Sequence, residues 1–174
     1  EPPGPDFSGD DRRRYVEFVN YYIHQVNLMR HLLGEPYRVT FADRAGVLLI
    51  AETASGVPGT IEMSPYRTTV AWEETALVAF EKGYILLRLP APLAANRAGT
   101  VEIYEDARST PMRRQPTLPW VSAMRQQAAN FLKVCRGEAP PPCDAAEALE
   151  DLKVARDYLR LFLSGEGKGD RCLR

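Results

Sequence analysis

The chain has 174 residues, 45% of them apolar and 26% charged, which suits one globular domain with a real core and argues against a disordered segment. Its 22 Lys and Arg are balanced by 23 Asp and Glu, a net charge of -1, so it lacks the basic field that holds nucleic acid or an anionic membrane surface. Apolar runs such as Val47-Leu48-Leu49-Ile50-Ala51 fall far short of the roughly 20 residues that span a membrane.

Residues 1–11 are rich in Pro and Gly and carry the acids Glu1, Asp6, Asp10 and Asp11, so they are expected to form an extended, mobile linker. With no basic n-region and no apolar h-region, the start does not read as a signal peptide. Cys135, Cys143 and Cys172 form no metal or redox spacing, and an odd number does not suit a disulfide framework. A cytoplasmic setting with inert thiols is the simpler expectation.

The folded part is expected over residues 12–164. From Arg12 to Leu33 there is no Gly or Pro, apolar residues recur at helical spacing, and Gly34 with Pro36 supplies a stop, which predicts a long helix. Tyr15, Phe18, Val19, Tyr22, Val26, Met29 and Leu33 share its core face. The opposite side carries Glu17, Asn20, His24, Asn27 and His31.

Between Tyr37 and Asp106 the texture changes to short β-branched and aromatic runs broken by Gly, Pro and Asn. Strands are predicted over 37–43, 47–53, 59–64, 68–80, 84–89 and 101–104. The connections are too short for crossover helices, so most neighbours must be antiparallel. Tyr84 to Leu89 is too apolar for a strand with one wet face, which points to a sheet covered by a second subunit. After Pro111, Pro116 and Pro119 the helical period returns over 120–136, with Val121, Met124, Ala128, Phe131, Leu132 and Cys135 as the expected core stripe. Arg113-Arg114 reads as part of a proline-bounded loop. Pro140 to Pro142 exclude helix, and Asp144 with Glu147 caps a last helix running to about Leu163. Residues 165–174 are expected to be a flexible tail. The order helix, sheet, helix, helix gives an α+β fold: a largely antiparallel or mixed open sheet of about six strands with helices packed on one face.

Asn20, His24, Asn27 and His31 stand at i, i+4, i+7 and i+11, which lines two amides and two imidazoles along one helix face within reach of one ligand. Such a row suits a polyhydroxylated molecule, and histidine exchanges a proton near neutral pH, as carbonyl-to-alcohol chemistry requires. The same row is also what the wet face of an ordinary amphipathic helix presents. A two-histidine metal site is disfavoured, because His24 and His31 lie two turns apart with no acidic ligand at a matching step. Trp72-Glu73-Glu74 and Tyr66-Arg67 could line a pocket, although strand aromatics are more often core or interface.

The stretch from Asn20 to Pro36 resembles the start of the C-terminal domain of the glucose-fructose oxidoreductase, inositol dehydrogenase and rhizopine-catabolism (Gfo/Idh/MocA) family. Asn20, His24 and Asn27 stand where that family typically has Asp, His and Asp, and Arg30-His31-Leu32-Leu33-Gly34-Glu35-Pro36 continues the likeness. Gly56 and Gly59 before an apolar strand extend it. So do Ala128-Ala129-Asn130-Phe131-Leu132, Arg136-Gly137-Glu138 and Asp144 to Leu149 near the end.

The resemblance implies the C-terminal half of an NAD(P)-dependent enzyme acting on a sugar, cyclitol or related polyol, with a glyceraldehyde-3-phosphate-dehydrogenase-like open sheet. It implies His24 as the catalytic acid/base or substrate-orienting residue, with Asn20, Asn27 and by extension His31 binding substrate. The partners it implies are the protein's own N-terminal Rossmann domain and a second copy, as a homodimer or homotetramer through the sheet face. NAD or NADP would then be bound in the longer protein and not by this domain alone. Of closely spaced glycines the chain has Gly165, Gly167 and Gly169, placed after the last helix where they cannot cradle a pyrophosphate, so no cofactor-binding fingerprint is assigned. Both family aspartates are Asn here, and an amide cannot act as a carboxylate base. That leaves open a non-catalytic dimerisation or sugar-sensing module of the same fold.

Overall fold

The computed structural model describes residues 8–63, 68, 69, 71–106 and 109–166. It contains three helices and seven strands: α1 (Gly9–Leu33), β1 (Tyr37–Ala42), β2 (Leu48–Thr53), β3 (Pro58–Glu62), β4 (Glu74–Phe80), β5 (Gly83–Leu89), β6 (Thr100–Glu105), β7 (Met112–Arg114), α2 (Ala123–Cys135) and α3 (Ala145–Glu166). The fold is α+β with every strand pair antiparallel, as the short connections require. The strands form two sheets, of order β1-β2-β3 and β4-β5-β6-β7. The chain divides into two compact units, one of residues 1–66 with 143–174 and one of residues 67–142.

In the first unit α1 starts at Gly9, three residues earlier than the sequence reading places it. Ser8 accepts from the Asp11 amide at 3.2 Å while the Asp11 carboxylate accepts from the Ser8 amide at 2.9 Å, a reciprocal capping box. Asp10 and Asp11, two of the acids read as linker, are thus in the helix's first turn, where they also complement its dipole. Gly34, at φ 73, closes the helix in the left-handed conformation that glycine adopts without strain.

Tyr15, Phe18 and Val26 bury the predicted face of α1. They meet Leu49, Ala51, Ile61 and Met63 from the sheet side and Val154, Ala155, Tyr158 and Leu159 of α3, so both helices share one core with β1–β3. The Phe18 and Tyr158 rings stack at 4.7 Å. Full burial of Leu49 and Val26 contributes about 1.5–3 kcal/mol each. Strand β2 buries alternate residues, Leu49, Ala51 and Thr53. Asp43 sets the β1–β2 turn by accepting from the amides of Ala45, Val47 and Leu48 at 2.7–3.0 Å.

In the second unit β4 and β5 are joined by Glu81-Lys82, and β5, β6 and β7 follow as a meander. Strand β7 replaces the loop expected around Arg113-Arg114. Arg113 lies 3.4 Å from Glu102 and Arg114 3.6 Å from Glu105, so cross-strand charge holds an edge that hydrophobic alternation does not mark. The α2 core stripe is corrected: no residue of α2 is buried, and Met124, Phe131 and Leu132 are exposed. Periodicity gives the stripe, but no strand of its own unit packs closely on it.

The other helix and strand ends move by a few residues. Strand β4 opens at Glu74 rather than 68, and α3 runs to Glu166, into the stretch read as a tail. The α3 cap is as expected, with Asp144 and Glu147 bonded reciprocally at 2.8 and 3.0 Å. Residues 1–7 of the expected linker, Tyr66-Arg67, Gly167, Gly169 and Cys172 lie outside the described residues.

Candidate functional site

Helix α1 is amphipathic, so packing Phe18, Tyr22 and Val26 inward turns its opposite face outward. Asn20, His24 and His31 are exposed there, and Asn27 is half-buried. Neither imidazole has a hydrogen-bond partner among the described residues, so both ring nitrogens can meet a ligand.

Asn27 differs from the other three. Its amide nitrogen lies 2.9 Å from Asp151 Oδ2 and 3.4 Å from Cys143 Sγ, so its donor side is committed to α3. One turn on, Arg30 donates to Asp151 Oδ1 at 2.7 Å, and this ion pair is nearly closed to solvent. Tyr37 completes the patch by donating to the Val26 carbonyl at 2.9 Å.

Burial is the largest influence on Asp151 and pushes its carboxyl above the ordinary carboxylate range, opposed by the Asn27 amide and the Arg30 guanidinium. Burial likewise raises the Cys143 thiol, helped by the charges of Asp151 and Glu147, which disfavours the thiolate at this exposed cysteine. Burial lifts Tyr37 well above the usual tyrosine range.

Asp151 was missed as a position worth attention. It stands three, four and seven residues before Val154, Ala155 and Tyr158, all buried, so the sequence does hold the signal: a carboxylate on a core stripe. Beside it, Arg30, Tyr37, Arg38, Lys153 and Arg156 line a cavity of about 120 Å³. That is small against the roughly 300–1,000 Å³ of ligand pockets. Its charges are also matched internally: Arg30 by Asp151, Arg38 by Glu52, Lys153 by Glu150 and Arg156 by Asp157. The cavity is a packing gap in a salt-bridge layer, and the exposed row is the better candidate site.

The other sequence candidates resolve as follows. The Trp72 indole donates to Glu74 at 3.2 Å and Glu73 pairs with Arg88, so the acids of this segment are engaged with neighbours. No group of three or more His, Cys, Asp or Glu that could hold a metal occurs among the described residues. A dinucleotide does not fit the described residues either, since prolines rather than a glycine turn precede α2 and α3. No helix of the described residues is long and apolar enough to cross a membrane.

No protein-family model matches the chain, and no curated protein does. Solved structures match in fold. A proposed NADPH-dependent oxidoreductase of Desulfitobacterium hafniense superposes with a TM-score of 0.66 at 15% identity, covering 85% of this chain and 46% of that one. A variant of KijD10, a 3-ketoreductase of Actinomadura kijaniata in complex with TDP-benzene and NADP, gives 0.57 at 14% identity, with 85% and 46% covered. A proposed oxidoreductase, yvaA of Bacillus subtilis, gives 0.52 at 9% identity, with 95% and 53% covered. The chain spans about half the length of these proteins, and its fold is that of the C-terminal half of Gfo/Idh/MocA-type oxidoreductases.

Proposed function

We propose that this chain is the substrate-binding and oligomerisation half of an NAD(P)-dependent oxidoreductase acting on a sugar, cyclitol or related polyol. The observation that carries the proposal is the exposed row Asn20, His24 and His31 on α1, in a fold shared with the C-terminal halves of oxidoreductases. In this reading the nucleotide is bound by a companion Rossmann half, which supplies the redox chemistry, and the residues of this chain handle substrate and proton.

His24 accepts the proton of the reacting hydroxyl, or returns it to the carbonyl in reduction, through an imidazole with no hydrogen-bond partner among the described residues. Asn20 and His31 flank it and hydrogen-bond neighbouring hydroxyls. Asn27, with its amide N–H engaged by Asp151, offers its carbonyl oxygen to the substrate and ties the row to the Arg30–Asp151 pair. Oligomerisation as a homodimer or homotetramer uses the β4–β7 sheet, where Leu77 and Phe80 are 65% and 60% exposed.

The test is a nicotinamide assay over a polyol panel with the Rossmann half present. Turnover lost on His24→Ala with the fold intact supports the proposal; full turnover in that variant overturns it. Tight NADH binding by the present chain alone would overturn the division of labour. A second reading, a non-catalytic dimerisation or sugar-sensing module, is favoured by Asn at 20 and 27, where no carboxylate can raise the basicity of His24. Binding of a polyol without turnover in the same assay selects it.

A further inference from the structure

We propose that the second unit carries a separate groove that binds a sugar ring bearing a negative charge, a phosphate or a carboxylate. The groove lies at one end of the β4–β7 sheet, between the β5–β6 loop and the segment that follows β7. Its volume is about 470 Å³, within the range of about 300–1,000 Å³ that holds a small ligand.

The register explains why these segments meet. Ile103 pairs with Arg114 at the end of the β6–β7 ladder, so continuing it sets Thr117 opposite Thr100, the first residue of β6. Gln115 then follows β7 directly, while Asn96 and Arg97 approach from the β5–β6 loop. Asn96 sits at φ 55, the left-handed conformation that Asn tolerates better than most side chains, and it marks a turn in the loop that lines the groove.

Trp120 lines the groove and is 79% exposed, so its indole is open to a ligand there. An indole face stacks on the C–H side of a sugar ring. The amides of Asn96 and Gln115 and the hydroxyls of Thr100 and Thr117 both donate and accept, matching ring hydroxyls. Arg97 is the one charged side chain in the lining and has no ion-pair partner among the described residues, so the groove keeps a net positive charge for an anion. These residues all belong to the second unit, and the inference is independent of what His24 does.

The test is a titration of the whole chain carrying Trp72→Phe, so that Trp120 alone reports, with glucose 6-phosphate, glucuronate, glucose, inorganic phosphate and AMP. Expected is quenching by the two charged sugars, about tenfold weaker binding of neutral glucose, and a loss of about tenfold for the charged sugars in Arg97→Gln. Saturation-transfer NMR on Trp120→Ala, with circular dichroism to confirm the fold, should show the ring signal lost. No response to any sugar, equal affinity for inorganic phosphate and glucose 6-phosphate, or tighter binding of AMP than of either sugar would each overturn the proposal.

Discussion

Arg30 and Asp151 form a 2.7 Å ion pair between α1 and α3, 12% and 5% exposed at their side chains, with Asn27 on the second carboxylate oxygen. Removing one partner of such a pair strands the other in a poorly hydrated site, at a cost of about 3–5 kcal/mol. Arg30→Met should therefore lower the urea midpoint sharply at pH 7. Burial already raises the folded-state pKa of Asp151 above its unfolded value, so its stabilising contribution is complete below about pH 4 and is lost as pH rises through the folded pKa. Without Arg30 that pKa rises further. The deficit of Arg30→Met should thus shrink as pH falls toward 4, and a pH-independent deficit would contradict this account.

Alkaline stability should depend on two phenols, one buried at Tyr158 and one half-buried at Tyr37. Burial lifts Tyr37 well above its ordinary range and pushes Tyr158 up to about 12, with Asp43 and Tyr22 adding to the latter. Both pKa values are raised on folding, so the contribution is fully present below about pH 10 and lost as pH rises past it. Denaturant midpoints should fall between pH 10 and 12, and Tyr158→Phe should flatten that fall. Tyr37→Phe should also cost about 1 kcal/mol at pH 7, since it deletes the bond to the Val26 carbonyl.

The core face of α1 was legible because seven apolar positions at helical spacing leave one arrangement, and Tyr15, Phe18 and Val26 took it. The capping box was not read: Ser8 and Asp11 stand among residues whose composition suggests a linker, and only their three-residue spacing gives the cap away. Strand β7 was illegible for another reason. Met112-Arg113-Arg114 has no strand pattern of its own, and its pairing is conferred by Glu102 and Glu105 of β6. The row on α1 was predicted as a line of four, but the tertiary partner Asp151 draws Asn27 partly inward.

Two glycines should respond differently to Ala. A Cβ at Gly83 would stand 2.2 Å from the Tyr104 carbonyl oxygen, backbone of the paired strand, which cannot yield without breaking the β5–β6 register. A Cβ at Gly59 would stand 2.7 Å from Met29 Sδ, the end of a flexible side chain that can turn away. Gly83→Ala should cost about 1–3 kcal/mol or more in thermal or urea unfolding, and Gly59→Ala clearly less. Equal losses would place the Gly83 contact wrongly.

The exposed row makes a prediction that separates chemistry from binding. If His24 exchanges the substrate proton while Asn20 only holds a neighbouring hydroxyl, then with the Rossmann half present His24→Ala should lower kcat by about 10²–10⁴. Asn20→Ala should instead act on KM, by about tenfold for one lost hydrogen bond to a neutral group. Neither side chain is buried, so both variants should unfold within about 0.5 kcal/mol of the parent, which excludes a folding defect as the cause. An intermediate case is Asn20→Asp, which restores a carboxylate one turn before His24. A negative charge at that distance favours the imidazolium, so the acidic limb of the kcat profile should move to higher pH. An unmoved limb in Asn20→Asp, together with unchanged kcat in His24→Ala, would show that α1 presents a merely solvated face.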